Sequence, residues 1–404
     1  MTFKLTRRSA AKGLALSAAS LALPAIGRAQ SQSVKIAMIA PMSGPWARQG
    51  QLLRMGADLA IEDINARGGV KSLGGAKLNI IYADAGDSTE KAKNAAQRLV
   101  ADNPDLVGGT GSWLSSFTLA VTEVTERAQI PWLTLSYSDA ITNRGFKFVF
   151  QTSPTAEWQA AQTVPTALDL AQSATGKRPA TVGLIMDNTA APTSFAKPLR
   201  EGGFEKAGLK LVVDQIYTPP LSDATPLIEK VRSAKPGFLL LLTSAMPDCK
   251  LVLEKLDEFK LSHGKLPLVG NGAPFGSPEL LEGMLFSVAN WPMKGQEEFI
   301  ERFKKKTGEP FLTQDGLCGY GHPAILAEAL EACGAADKIK VAEAIRAMNL
   351  TTGLAAQCFP GLIKFDEKGR RVGVPMIFAQ WQKGLPVTVF PTNLALATPV
   401  WPSV

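Results

Sequence analysis

Residues 34–70 read VKIAMIAPMSGPWARQGQLLRMGADLAIEDINARGGV, and their pattern decides the fold class. Val34 to Ala40 is a short apolar run, which predicts a buried strand. Pro41 stops it, and Ser43, Gly44 and Pro45 mark a loop. Leu52, Met55 and Leu59, with the small Gly56 and Ala60, then fall on one helical face. Gly68 and Gly69 end that helix, because glycine takes the left-handed cap conformation without a Cβ penalty. Strand, loop and helix make the first half of a βαβ unit. In open α/β sheets ligands gather at the carboxyl ends of the strands, so the loop from Pro41 to Gln51 is a candidate binding loop by position alone.

The same alternation continues outward. Strands are expected at Lys77–Tyr82, Asp105–Gly108, Trp132–Leu135 and Lys147–Gln151. Helices are expected from Ser88 or Thr89 to Ala101 and from Leu114 to Ala128. The pattern restarts with a helix at Trp158–Ala171 and strands at Ala180–Met186, Lys210–Ile216, Gly237–Leu242 and Leu266–Gly270. Helices at Pro226–Ala234 and Pro247–Phe259 separate the last three. Beyond these lie a possible strand at Met284–Ala289 and helices at Gln296–Thr307, Pro323–Cys333 and Asp337–Met348. Late strands at Leu362–Asp366 and Val374–Gln382 flank a turn at Glu367–Gly369 and could complete either half. Alternating strands and helices predict an α/β protein with parallel sheets in both halves. A chain of 404 residues exceeds what one core usually serves, so two lobes are expected. No Pro- or Ser-rich linker divides the two runs, which points to several short crossings between them.

The first 29 residues differ from the rest. Lys4, Arg7, Arg8 and Lys12 precede an apolar, alanine- and leucine-rich run from Gly13 to Ile26, and Gly27-Arg28-Ala29 places small residues at a cut after about Ala29. This reads as an export signal; the apolar run is too short to span a bilayer. Thr6-Arg7-Arg8 with Lys12 resembles the twin-arginine variety, although Ala10-Ala11 stands where a bulky pair is usual, so the unfolded-chain route stays open. The segment holds five basic residues and no acidic one. The mature chain therefore carries 38 basic and 36 acidic residues, a net charge of +2, and the sequence pI near 9.1 reflects the discarded leader. Nucleic-acid and anionic-membrane binding lose their support. The cysteines Cys249, Cys318, Cys333 and Cys358 show no CxxC spacing, which argues against a zinc or redox motif; bridged and free thiols both remain open in an exported protein.

Catalytic chemistry is poorly supplied. There are two histidines, His263 in a polar loop and His322 beside Pro323 at an expected helix start. HExxH, GxSxG and Walker A patterns are absent. Gly109-Thr110-Gly111 begins like a dinucleotide loop, but Leu114 occupies the third glycine position. Asp84 and Asp87 fit a helix-capping turn better than an acid pair or metal site. No cofactor and no metal are called for. Binding chemistry is richer. Ser112, Ser115 and Ser116 lie where a strand passes into a helix, and hydroxyls with unpaired backbone N–H groups can hold a carboxylate there. Ser136 and Ser138 follow the next strand at the same end of the sheet. Trp46, Trp113 and Tyr137 sit in the same three loops, as walls for an apolar ligand body.

These segments carry a family resemblance. VKIAMIAPMSGPWARQG, GADLAIEDINARGGV and LNIIYADAGDSTEKA resemble the start of the leucine/isoleucine/valine-binding protein family, the periplasmic solute-binding proteins of ABC importers. IPWLTLS, SDAITNRGFKFVFQTSPT and the IKFDEKG turn continue the resemblance, which weakens between Asn188 and Lys197. It implies two Rossmann-like lobes joined by three crossings, near Ser153, Pro292 and Val374. Lobe 1 would hold residues 34–153 and 293–374; lobe 2 would hold 154–292 and 375–404. It further implies hinge closure on a ligand and delivery to an inner-membrane permease. A monomer is expected, and the shortage of histidine and nucleophile motifs argues against an enzyme on this scaffold. The family's carboxylate-binding region falls on Ser115 or Ser116, and its second such loop on Ser136 to Ser138. A family tyrosine falls near Gln49, a second-lobe aromatic pair near Ala245-Met246, and the early cysteine pair on Gly86 and Trp113. The acidic partner of an amino acid's ammonium falls at Gly272, next to Asn271, where no carboxylate stands. A buried ammonium without a partner is costly. The expected ligand is therefore a small carboxylate with an apolar or aromatic body, not a zwitterionic amino acid. Ser115, Ser116 and Ser136 would hold its carboxylate, and Trp46, Trp113, Tyr137 and Met246 would enclose its body. An amide, urea or other neutral solute, a branched-chain amino acid, and a sensor role are the alternatives.

Overall fold

A computed structural model describes residues 33–271, 278–359 and 361–401. The leader and Gly272 lie outside the described residues. Two sheets organise the chain. The first has the order β2-β1-β3-β4-β5 and is parallel throughout, built from β1 (Ser33–Ala40), β2 (Lys77–Asp84), β3 (Leu106–Gly111), β4 (Trp132–Thr134) and β5 (Val149–Gln151). The second runs β12-β11-β10-β9-β8-β6-β7. Its strands are β6 (Thr181–Asp187), β7 (Lys210–Tyr217), β8 (Phe238–Leu242), β9 (Leu268–Asn271), β10 (Leu285–Val288), β11 (Ile377–Gln382) and β12 (Leu385–Phe390). The first five are parallel; β11 and β12 close the edge as an antiparallel hairpin. This is the two-lobe α/β fold.

The main helices are α1 (Ala47–Ala66), α2 (Thr89–Asp102), α3 (Ser115–Arg127), α4 (Ala156–Thr175), α5 (Ala190–Pro198), α6 (Thr225–Ala234), α7 (Met246–Glu258), α8 (Glu297–Thr307), α9 (Gln314–Cys333) and α10 (Lys338–Arg346). Successive strand side chains face opposite ways. In the second sheet Leu184 and Leu240 therefore pack with Phe195 and Leu168, while Leu239 and Leu241 pack with Val252 and Leu253. The late helices return to the first sheet: Phe303, Leu317, Leu326 and Ile345 share a core with Ile36, Met38 and Leu133. The chain thus passes between the sheets after β5, after β10 and before β11. A buried Asn290 ties these passages, donating to Ser153 Oγ at 3.2 Å and accepting from Arg371 Nη1 at 3.1 Å.

Three expectations need correction. The helix expected to start at Pro323 starts at Gln314, with Thr313 capping it through the Gly316 N–H, so Pro323 and His322 lie in its middle. Its glycines conceal it in the sequence, yet they are what let it lie against α1. A Cβ on Gly319 would come within 2.2 Å of the Leu53 carbonyl oxygen, and one on Gly56 within 2.2 Å of the Gly316 carbonyl oxygen. The strand expected at Leu362–Asp366 is not one: Ile363 bridges to Leu350 and Phe365 to Arg371, two different partners, so no ladder forms. Strand β12 was not expected, because Pro386 interrupts its pattern; as an edge strand it tolerates the missing donor.

Candidate ligand site

The cleft between the lobes holds a cavity lined by residues of both. Nearly every wall comes from the carboxyl end of a parallel strand. Lobe 1 contributes Gln49 after β1, Trp113 to Ser115 after β3, and Leu135 to Tyr137 after β4. Lobe 2 contributes Ala191 and Pro192 after β6, Leu242 to Met246 after β8, and Asn271 at the end of β9. Gln314 and Asp315 complete the lining from the first turn of α9.

The loop after β3 is held in an uncommon shape. Gly111, Ser112 and Trp113 have φ of 108°, 65° and 47°. Left-handed backbone costs a non-glycine residue about 1–2 kcal/mol, so the neighbours must hold it. The Ser112 N–H donates to the Ile39 carbonyl, Ser136 Oγ donates to the Trp113 carbonyl at 2.7 Å, and the Trp113 indole N–H donates to Asp315 Oδ1 at 2.8 Å. The loop leads into α3, whose N-terminus has Leu114 at the cap and no side-chain cap bond. The first N–H groups of such a helix have no partner within it. Ser115 Oγ accepts from the Tyr137 and Ser138 N–H groups at 3.2 and 3.1 Å. Both lone pairs are then used, and the hydroxyl proton is left to donate.

The serines expected in the site separate into three roles. Ser115 and Ser136 line the cavity, but the Ser136 hydroxyl is already engaged by the Trp113 carbonyl and by Thr118 Oγ1 at 2.7 Å. Ser116 and Ser138 do not line it; they join the lobes at the mouth. Ser116 Oγ accepts from the Ala190 N–H at 3.3 Å, and Ser138 Oγ meets Ser194 Oγ at 2.8 Å. Trp46 is also absent from the wall. Its ring turns inward to meet Phe117 edge-on at 5.4 Å in the core that Ala245 joins, because a strand-tip aromatic can be satisfied beneath the loop as well as above it. Gln49, Trp113, Tyr137, Met246 and Asn271 line the cavity. Tyr137 donates its O–H to Gln314 Oε1. Asn271 donates to Gln159 Oε1 at 2.5 Å.

Sequence reading missed Gln314 and Asp315. They come from a helix start with no strand before it, and the signal was Thr313 followed by Asp315, a capping residue with an acid in the first turn. Asp315 is 1% exposed, and burial pushes its carboxyl up to about 7 against the lowering effects of the Trp113 bond and of Arg48. The cavity therefore contains an acidic group although Gly272 is not one. Gln49 is 3% exposed, and its Oε1 has no hydrogen-bond partner. Outside the lining, buried Asp187 accepts from the Thr189 N–H at 2.9 Å and the Ser244 N–H at 2.5 Å, which ties down the lobe 2 loop that carries Met246. Cys249, in the lobe 2 lining, is a free thiol, as are Cys318, Cys333 and Cys358.

The other candidates for chemistry are structural. His322 is fully buried between Thr110 Oγ1 at 2.5 Å and Thr152 Oγ1 at 2.8 Å, and desolvation lowers its pKa to about 3. Asp84 accepts from the Met42 and Gly86 N–H groups, both at 2.8 Å, and so ties down the opening loop. Among the described residues no cluster of three or more His, Cys, Asp or Glu side chains is placed to hold a metal.

Residues 33–385 match the family described as Periplasmic binding protein. The chain belongs to that family. Leu/Ile/Val-binding protein homolog 8 of Brucella melitensis is 28% identical over 384 residues, covering 90% of this chain and 92% of the relative. The leucine-binding protein LivK of Thermotoga maritima superposes with a TM-score of 0.74 at 22% identity, over 88% of this chain and 97% of that one. A fatty acid ABC transporter substrate-binding protein of Thermomonospora curvata gives 0.74 at 19% identity, over 91% and 95%. With its two lobes, the chain is a type I periplasmic binding protein of the Leu/Ile/Val-binding group, a family of substrate-binding proteins of ABC transport. No helix among the described residues is long and apolar enough to cross a membrane.

Proposed function

We propose that this protein is exported, by the twin-arginine or the unfolded-chain route, cut after about Ala29, and captures a small carboxylate with an apolar or aromatic body for an ABC permease. The lobe limits are taken as 34–153 with 293–374, and 154–292 with 375–404. One observation carries the ligand class: the uncapped start of α3 and the Ser115 hydroxyl open into a cavity whose remaining lobe 1 and lobe 2 walls include Trp113, Leu242 and Met246. Unpaired N–H groups at a helix start favour an anion, and a free O–H proton adds a directed donor. The apolar walls would cover the body and exclude water, which strengthens those bonds. Closure brings Ser116 to Ala190 and Ser138 to Ser194, contacts that make the closed shape a distinct surface for a permease to read.

The named ligands of relatives, leucine, isoleucine and valine on one side and fatty acids on another, all present a carboxylate. Calorimetry tests the reading with carboxylates and their methyl esters, paired on short aliphatic and aromatic bodies. The acid is expected to bind at least about tenfold more tightly than its ester, about 1.4 kcal/mol. Equal binding of acid and ester would end it.

A further inference from the structure

We infer that a buried pair of carboxyl groups behind the lobe 2 wall holds one charge, on Asp187, and one proton, on Asp248, and that this proton keeps the start of α7, and with it the wall, in position. The consequence for solute retention rests on the capture reading above; the positioning of the wall does not.

Strand register brings the groups together. Asp187 and Tyr217 are partners at the ends of β6 and β7. Side chains two apart on a strand share a face, so both lie on the side where Ile185 and Val213 pack with Cys249 and Val252 of α7. Asp248, in the first turn of α7, meets them there. Asp187 is fully buried and Asp248 is 1% exposed. Among the described residues no lysine or arginine pairs with either carboxyl. The same helix start reaches the ligand side, where Ala245, Met246 and Cys249 line the cavity.

Hydrogen-bond donors locate the charge and the proton. Asp187 Oδ1 accepts from the Thr189 N–H at 2.9 Å and the Thr189 hydroxyl at 2.5 Å, and its Oδ2 accepts from the Ser244 N–H at 2.5 Å. Both oxygens act as acceptors, which suits an ionised carboxylate. Asp248 has one donor, the Leu221 N–H on Oδ1 at 3.0 Å. Its Oδ2 and the Tyr217 hydroxyl are buried with no hydrogen-bond partner. A charge on an oxygen that lacks a donor is the costlier arrangement. A helix start favours an anion, yet burial pushes the Asp248 carboxyl up, helped by Asp187 and opposed by the Leu221 N–H and the nearby Tyr217 hydroxyl. Burial raises Asp187 too, against its Thr189 and Ser244 donors.

The titratable groups facing Asp248 are Asp187 from β6, Tyr217 from β7 and Cys249 beside it on α7; burial pushes the phenol and the thiol up. On the α6 side Asp223, Lys255 and Glu258 act on one another. Lobe 1 packs Trp46 near Ala245 and brings no charge there. Loss of the proton therefore sets a second negative charge beside Asp187 with no cation to answer it. The parts that give are those Asp248 holds: the loop after β7 through Leu221, and the first turn of α7. A carboxyl raised in the fold contributes stability that is fully present below its ordinary value of 3.8 and is lost as pH rises through the folded value. The wall is held at low pH and loosens as pH rises, and solute retention falls with it.

The experiment uses the mature protein without solute, so its outcome is independent of the capture reading. Backbone hydrogen exchange of residues 243–252 is followed by mass spectrometry from pH 4.5 to 8 and corrected for the intrinsic rate at each pH. The Cγ atoms of Asp187 and Asp248 are titrated by carbon-detected NMR. Asp248 is expected to titrate above Asp187 and above its ordinary value. The opening constant of the segment is expected to rise about tenfold per pH unit until Asp248 has titrated. Asp248→Asn, which imitates the protonated acid, is expected to abolish that rise. An Asp248 carboxyl that titrates at or below its ordinary value overturns the proton, and a proton found on Asp187 overturns its placement. A rise that is equal in wild type and Asp248→Asn overturns the link to the wall. If the variant folds poorly, the wild type decides alone: a segment whose opening stays constant while Asp248 titrates overturns the link as well.

Discussion

The Trp113 indole N–H donates to Asp315 Oδ1 at 2.8 Å, joining the loop after β3 to the start of α9 across the floor of the cleft. The bond does two things. It anchors a turn in which two non-glycine residues hold left-handed φ, and it is the hydrogen bond that lowers the Asp315 pKa against burial. Trp113→Phe keeps a ring and removes the donor. A bond to a charged group contributes about 1.5–3 kcal/mol, so the variant should lose stability of that order in urea denaturation. Its Asp315 carboxyl should titrate above the wild-type value in a carbon-detected NMR titration. An unchanged Asp315 titration would separate the two roles and refute the second.

Ser115 should matter for both binding and folding, and Ser136 mainly for folding. The Ser115 oxygen accepts two backbone N–H groups and keeps its proton, whereas the Ser136 proton is engaged inside lobe 1. Ser115→Ala leaves two buried N–H groups unmatched, at about 1–3 kcal/mol each where water cannot reach them. It should also weaken carboxylate binding by about tenfold or more. Ser136→Ala should lower the melting temperature with a smaller change in dissociation constant. Thermal melts and calorimetry on both variants check the split; a Ser136→Ala binding loss as large as that of Ser115→Ala contradicts it.

The close contact of α1 with α9 makes Gly319→Ala a test of packing alone. The added Cβ would meet the Leu53 carbonyl oxygen at 2.2 Å, and a carbonyl in a helix cannot swing aside as a side chain can. The helices must part, and overpacking of this kind costs about 1–3 kcal/mol. The midpoint of chemical denaturation should fall accordingly. An alanine at the exposed Gly334 cap would not report on this contact, since nothing lies within 4 Å of its Cβ position.

The same helix explains what the sequence could and could not say. Strands β1, β3, β6 and β8 are buried on both faces, so they appear as uninterrupted apolar or small-residue runs with turn residues after them. Ligand loops at strand ends follow from that pattern, which points to Trp113, Ser115 and Tyr137; Gln49 and Met246 came from the family resemblance, and all five line the cavity. Helix α9 is apolar on all sides and rich in glycine because it is buried on all sides, which erases the amphipathic stripe that identifies surface helices. Its first turn, with Gln314 and Asp315, vanished with it. Trp46 failed for a different reason: position in a loop says where a backbone is, and packing against Phe117 decides where the ring goes.

Two buried groups should give the stability a pH signature of opposing slopes. His322 has its pKa lowered to about 3 in the fold, from an ordinary value near 6.5. The unfolded chain therefore binds a proton in that window that the fold refuses. Its stabilisation is fully present above about 6.5 and is lost as pH falls toward 3. Asp315 behaves in the opposite sense. Its pKa is raised from 3.8 to about 7, so the fold binds the extra proton, and its contribution is fully present below about 4 and lost as pH rises through 7. Each shift is worth several kcal/mol, on the scale of about 1.4 kcal/mol per unit, and between pH 4 and 6.5 they oppose one another. Asp315→Asn should therefore make the protein more sensitive to acid than wild type over that range. Replacing His322 with glutamine, which can still meet Thr110 and Thr152, should make stability decline more steeply as pH rises. Urea denaturation from pH 4 to 8 on the three proteins checks the differences in slope, and parallel curves for wild type and Asp315→Asn would show that Asp315 is not titrating in this window.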